Sequence, residues 1–66
     1  TGGNFYDFVN KYRVEEIKQL MANPKFKDFT LLAIALEAGF SSKSTFNSIF
    51  KKFTGITPST YRNRLL

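Results

Sequence analysis

Apolar residues recurring at steps of three and four, capping residues ahead of each such stretch, and Gly or Pro behind it predict an all-α fold for this 66-residue chain. About four helices are expected. Residues 1–66 have room for one domain, whose core lies near the lower limit for independent folding. Eight Phe and three Tyr offset the small size, because aromatic rings bury large areas.

The first helix is expected from about Phe5 to Ala22. Asn4 is a good N-cap, and Asp7 places negative charge in the first turn, where the helix dipole favours it. Phe5, Phe8, Val9, Tyr12, Ile17, Leu20 and Met21 recur mainly at steps of three and four, as one buried face requires. Pro24 disfavours helical geometry at Asn23 and so ends the helix. Arg13 falls inside the apolar stripe. Either its stem packs while its head reaches water, or it pairs with an acid such as Glu37.

Residues 24–29 read as a loop with Phe26 and Phe29 tucked against the core. Asp28 or Thr30 can cap a second helix carrying Leu31, Leu32, Ile34, Ala35 and Ala38. Gly39 stands where that helix must stop, since Gly tolerates the left-handed conformation common at such ends. Phe40 returns to the core, and Ser41 or Ser42 caps the third helix. Gly55 closes the third helix. Thr57-Pro58 then supplies an N-cap followed by Pro at the first helical position of a fourth helix, about Pro58 to Leu65. The expected division is a long helix over residues 4–23, a helix-turn-helix over 30–54 and a closing helix over 57–66. Thr1-Gly2-Gly3 reads as an appended remnant or the end of a preceding loop.

The third helix carries the chemistry. Phe46, Ile49, Phe50 and Phe53 form an i, i+3, i+4, i+7 core stripe. The opposite face centres on Ser44, Ser48 and Lys51, flanked by Asn47 on one side and Thr45 and Lys52 on the other. Lys43 projects from the first turn. A polar face is also what any solvated helix presents, but such faces usually mix signs and form Glu–Lys pairs. Here the whole net charge of +5 lies in the C-terminal part. Residues 1–37 balance Lys11, Arg13, Lys18, Lys25 and Lys27 against Asp7, Glu15, Glu16, Asp28 and Glu37. Residues 38–66 hold Lys43, Lys51, Lys52, Arg62 and Arg64 with no acid. A polyanion is the natural partner of that surface.

Composition argues against other classes. Without Cys or His there is no thiol nucleophile, no Cys-based metal site and neither the commonest general base nor the commonest metal ligand. No enzymatic activity and no cofactor are expected. No apolar run approaches the ~18 residues that span a bilayer, and no basic stretch precedes an apolar block as in a signal peptide. The segment is expected to have no membrane contact and to work in the cytoplasm.

These residues resemble the AraC/XylS family of bacterial transcription regulators over nearly the whole chain. Phe5…Phe8-Val9…Arg13…Leu20-Met21 is similar to that family's long central helix. Leu31…Ile34-Ala35…Gly39-Phe40-Ser41-Ser42…Ser44…Phe46…Phe50-Lys51-Lys52…Gly55…Thr57-Pro58…Tyr61-Arg62 resembles its second helix-turn-helix and closing helix, a homeodomain-like arrangement. The resemblance implies that a first helix-turn-helix subdomain and a sensor or dimerisation region lie outside this sequence. It also puts the base-reading positions at Lys43, Ser44, Asn47 and Ser48, on the face obtained from periodicity. Relatives often carry long Arg or Gln side chains where this chain has the short Ser44 and Ser48. Direct reading is therefore expected to rest on Lys43 and Asn47, with the remainder through water or DNA shape.

The function expected is sequence-specific binding of double-stranded DNA at a promoter or operator, with the helix over about 42–53 in the major groove. Asn47 suits adenine and Lys43 guanine. Ser42, Thr45, Lys51, Lys52, Thr57, Ser59 and Arg62, together with the starts of the third and fourth helices, suit phosphates. The alternative is a helical protein-interaction module docking its basic face on an acidic partner. It is weakened by the lack of aromatic or Arg anchors on the outward face.

Overall fold

The computed structural model describes residues 4–65, so the expectations for Thr1-Gly2-Gly3 and for Leu66 fall outside the described residues. Four α-helices follow one another: α1 (Phe5–Ala22), α2 (Leu31–Glu37), α3 (Lys43–Thr54) and α4 (Pro58–Leu65), with a 3-10 turn at Pro24–Phe26. The fold is all-α and elongated, 38 × 20 × 19 Å.

Local chemistry explains each boundary. Asn4, Thr30 and Ser42 accept hydrogen bonds from the amides of Asp7, Ala33 and Thr45 at 2.8, 3.1 and 3.1 Å, and each satisfies a donor that a helix start leaves orphaned. Of the paired candidates, Thr30 rather than Asp28 and Ser42 rather than Ser41 are therefore the caps. Thr57 does the same for Thr60 at 3.2 Å. Asn23 ends α1 and its side chain caps the 3-10 turn through the Lys25 amide, 2.9 Å.

The end of α2 is a Schellman motif. The Phe40 amide donates to the Ala35 carbonyl at 3.0 Å and the Gly39 amide to that of Leu36 at 3.2 Å. Gly39 has φ 105° and Gly55, closing α3, has φ 85°. Both turns thus depend on a residue without a Cβ.

The core joins Val14, Ile17 and Met21 of α1 to Ile34 and Ala35 of α2, Phe40 of the turn, and Phe46, Ile49 and Phe50 of α3. Its rings run in sequence from turn to closing helix. Phe40 lies 5.5 Å from Phe46, Phe46 lies 6.0 Å from Phe50, and Phe50 meets Tyr61 edge-on at 5.5 Å. Burial of one such ring stabilises by about 1.5–3 kcal/mol, so this chain of aromatics supplies much of what so small a fold has available.

Two expectations about packing are corrected. Phe5, Phe8 and Tyr12 do not belong to the core face: they are 81, 70 and 68 % exposed. The buried face of α1 is Asn10, Val14, Ile17 and Met21. The first two turns carry apolar residues on the side of the helix opposite that face, so a step of three or four fits two registers. Phe29 is exposed and Phe26 half-buried; they stack edge-on against each other at 4.7 Å instead of entering the core. Tyr61 packs on the core, whereas Leu65 lies 45 % exposed.

Arg13 makes no ion pair with Glu37 among the described residues. Its guanidinium lies 5.7 Å from the centre of the Phe40 ring. A Cβ on Gly39 would come within 3.1 Å of its Nε. The half-buried side chain therefore covers the turn, with its stem packed and its charge over an aromatic face.

Candidate nucleic-acid interface

The outward face of α3 follows from what its other face buries. Phe46 and Phe50 are almost wholly enclosed and Ile49 is buried, so Lys43, Ser44, Thr45, Asn47, Ser48, Lys51 and Lys52 all emerge into solvent. Lys43, Ser44, Asn47 and Ser48 occupy the first half of the helix beside its cap. Lys51 and Lys52 lie in the last turn, where cations also complement the negative end of the helix dipole. The Ser42 hydroxyl accepts the Thr45 amide and keeps its O–H free to donate.

The start of α4 forms a second cluster. Thr57 Oγ1 accepts the Thr60 amide and lies 2.8 Å from Thr60 Oγ1 and 3.4 Å from Ser59 Oγ. Pro58 is buried beneath them, while Ser59 and Thr60 are exposed. Three hydroxyls thus surround the positive end of an eight-residue helix.

Two of the three expected phosphate-binding cations have protein partners. Lys52 Nζ lies 3.5 Å from Asp7 Oδ1 and 5.6 Å from the centre of the Phe53 ring. Arg62 Nη2 donates to the Lys27 carbonyl at 2.9 Å and to the Phe26 carbonyl at 3.4 Å. Lys43 and Lys51 make no ion pair among the described residues. The Asp7–Lys52 pair was not foreseeable locally, because 45 residues separate the partners. Arg13 did announce itself, as a charge within an apolar stripe.

A polar helix without acids, mounted on an aromatic core and preceded by a glycine turn from a shorter helix, defines a helix-turn-helix protein. The chain matches the helix-turn-helix domain family over residues 1–64. It belongs to the AraC-type branch of that family, a group of DNA-binding transcription regulators. It is 41 % identical over 61 residues to an uncharacterized HTH-type transcriptional regulator of Staphylococcus aureus strain COL, covering 92 % of this chain and 8 % of that protein. To the probable transcription factor PqrA of Proteus vulgaris it is 41 % identical over 56 residues, 85 % of this chain and 43 % of PqrA. To the uncharacterized transcriptional regulatory protein YesN of Bacillus subtilis strain 168 it is 36 % identical over 66 residues, 97 % of this chain and 17 % of YesN. The chain therefore spans less than half the length of each of these relatives. No solved structure matches it. None of the described helices is long and apolar enough to cross a membrane.

Proposed function

We propose that this chain binds double-stranded DNA sequence-specifically, with α3 in the major groove, as the C-terminal part of the DNA-binding unit of a bacterial transcription regulator. The observation that carries the proposal is the solvent face of α3, polar or basic at every exposed position and held rigidly by the buried Phe46–Ile49–Phe50 stripe. An α-helix fits the major groove, where each base pair presents a distinct pattern of donors and acceptors. Lys43 and Asn47 have the length and chemistry to reach guanine and adenine edges. Ser44 and Ser48 are short enough to let the helix approach closely and to read through water. Ser42, Thr45, Lys51, Lys52, Thr57 and Ser59 hold phosphates and set the register. Work on a promoter or operator places the protein in the bacterial cytoplasm.

An upstream helix-turn-helix subdomain completes the unit by covering the outer side of α1, where Phe5, Phe8 and Tyr12 stand exposed. Exposed aromatics in such a cluster mark an interface rather than a solvent surface. A sensor or dimerisation region lies further upstream, in keeping with the length of the relatives.

Titration of random and selected duplexes at several salt concentrations tests the proposal. Each neutralised phosphate steepens the log–log salt dependence by about 0.9, so a slope of about −2 is expected from Lys51 and Lys52, with selection converging on one short motif. A shallow slope with no preferred sequence would instead favour a helical protein-interaction module.

A further inference from the structure

We propose that Arg62 is a positioning residue, which sets the start of α4 on the DNA backbone by gripping the α1–α2 loop instead of touching phosphate itself. This rests on the function proposed above. The Arg62 side chain is half-buried, and its Nη2 spans two successive carbonyls of the loop, Phe26 at 3.4 Å and Lys27 at 2.9 Å. The segment that carries those carbonyls is fixed in turn. The Phe29 amide donates to the Phe26 carbonyl, the Lys27 amide donates to that of Pro24 at the C-terminal end of the 3-10 turn, and Asn23 caps the other end through the Lys25 amide.

The neighbouring residue supplies the other anchor. Tyr61 meets the Phe50 ring edge-on at 5.5 Å and so ties α4 to α3. Successive helical residues point ~100° apart. Tyr61 and Arg62 thus hold α4 against two different elements and stop it from rolling about its own axis. Rolling would redirect Ser59 and the hydroxyls around Thr57, whose value as phosphate donors depends on where the helix start is aimed. A guanidinium is suited to the task, because its planar fork donates along two fixed directions. An ammonium has the same charge but no such fork.

The test compares Arg62→Lys, which keeps the charge, with Arg62→Met, which keeps the apolar stem, both at a temperature well below the wild-type melting point. Helicity by circular dichroism should match wild type. Both variants should lose affinity for a fixed duplex on the order of tenfold, with no rescue by Lys. Amide hydrogen exchange in the free protein should accelerate across α4 and at Phe29 in both. Rescue by Lys would make Arg62 a direct charge contact and overturn the proposal. Wild-type affinity in both variants would leave it only a structural tie, which also overturns it. Exchange is read without DNA, so unchanged protection overturns the clamp even if the wild-type chain binds no duplex, a result that would separately sink the DNA reading.

Discussion

Gly39 and Gly55 are both at positive φ, yet substitution there has unequal consequences. A Cβ at Gly55 meets nothing within 4 Å, whereas at Gly39 it comes to 3.1 Å from Arg13 Nε. Ala at Gly55 should therefore cost about 1 kcal/mol of backbone strain alone. Gly39→Val adds a β-branched side chain pressing on Arg13 and should unfold or severely weaken the fold. Thermal melts decide this, and a Gly39→Val melt superimposable on wild type would mean the turn tolerates what its geometry forbids. Asn10 offers the opposite case. It is 2 % exposed, and its Nδ2 has no hydrogen-bond partner among the described residues. An unsatisfied buried donor costs about 1–3 kcal/mol, so Asn10→Leu should raise the denaturation midpoint. A lowered midpoint would show that the amide is satisfied after all.

At the level of the helix, the proposed function divides the labour of α3 by position. Lys43→Ala and Asn47→Ala should flatten discrimination among duplexes, by roughly 1–3 kcal/mol for a bidentate base contact. Lys51→Ala should weaken all sequences alike and reduce the salt slope by about one. Identical behaviour of the two groups in competition binding would remove the distinction between reading and anchoring. Asp7 makes a sharper case, because it sits 3.5 Å from Lys52 while also occupying the first turn of α1. Exposed pairs of this kind are weak, so a phosphate can compete for the lysine. Asp7→Asn should raise affinity a few-fold and steepen the salt dependence. It should also lower stability by about 0.3–1 kcal/mol through the lost helix-dipole interaction. Stability and affinity moving in the same direction would contradict that account.

Across the whole molecule, the exposed outer side of α1 links stability to completeness. With one reading helix, this chain should bind non-specific DNA at about 10⁻⁴–10⁻⁶ M at physiological salt. A longer chain that includes the proposed upstream subdomain would add a second helix on a rigid connection, making its engagement effectively intramolecular. Its affinity should rise by orders of magnitude, and equal affinities in parallel titrations would mark this chain as a complete reader. The same exposed rings should make the isolated chain self-associate at high concentration, a tendency that Phe8→Ser should reduce in sedimentation experiments.

Sequence by itself determined the features governed by local physics. Asn4 and Thr57 cap helices because a side-chain oxygen reaches an amide three residues on; for the second and third helices the sequence offered pairs, and the structure chose Thr30 over Asp28 and Ser42 over Ser41. Gly39 and Gly55 stop them because only Gly takes those backbone angles cheaply. The face of α3 was legible because Phe46, Ile49, Phe50 and Phe53 admit a single register. In α1 the apolar residues admitted two registers, and only packing against α2 and α3 chose the one that buries Asn10 and leaves Phe8 outside. Tertiary structure alone brought Asp7 to Lys52, the Arg13 guanidinium to the Phe40 ring and Arg62 to the Phe26 and Lys27 carbonyls. Each joins residues more than 25 positions apart, and no helical period or capping rule reaches that far. Charges that counted as free in the sequence therefore acquired partners when the helices closed on one another.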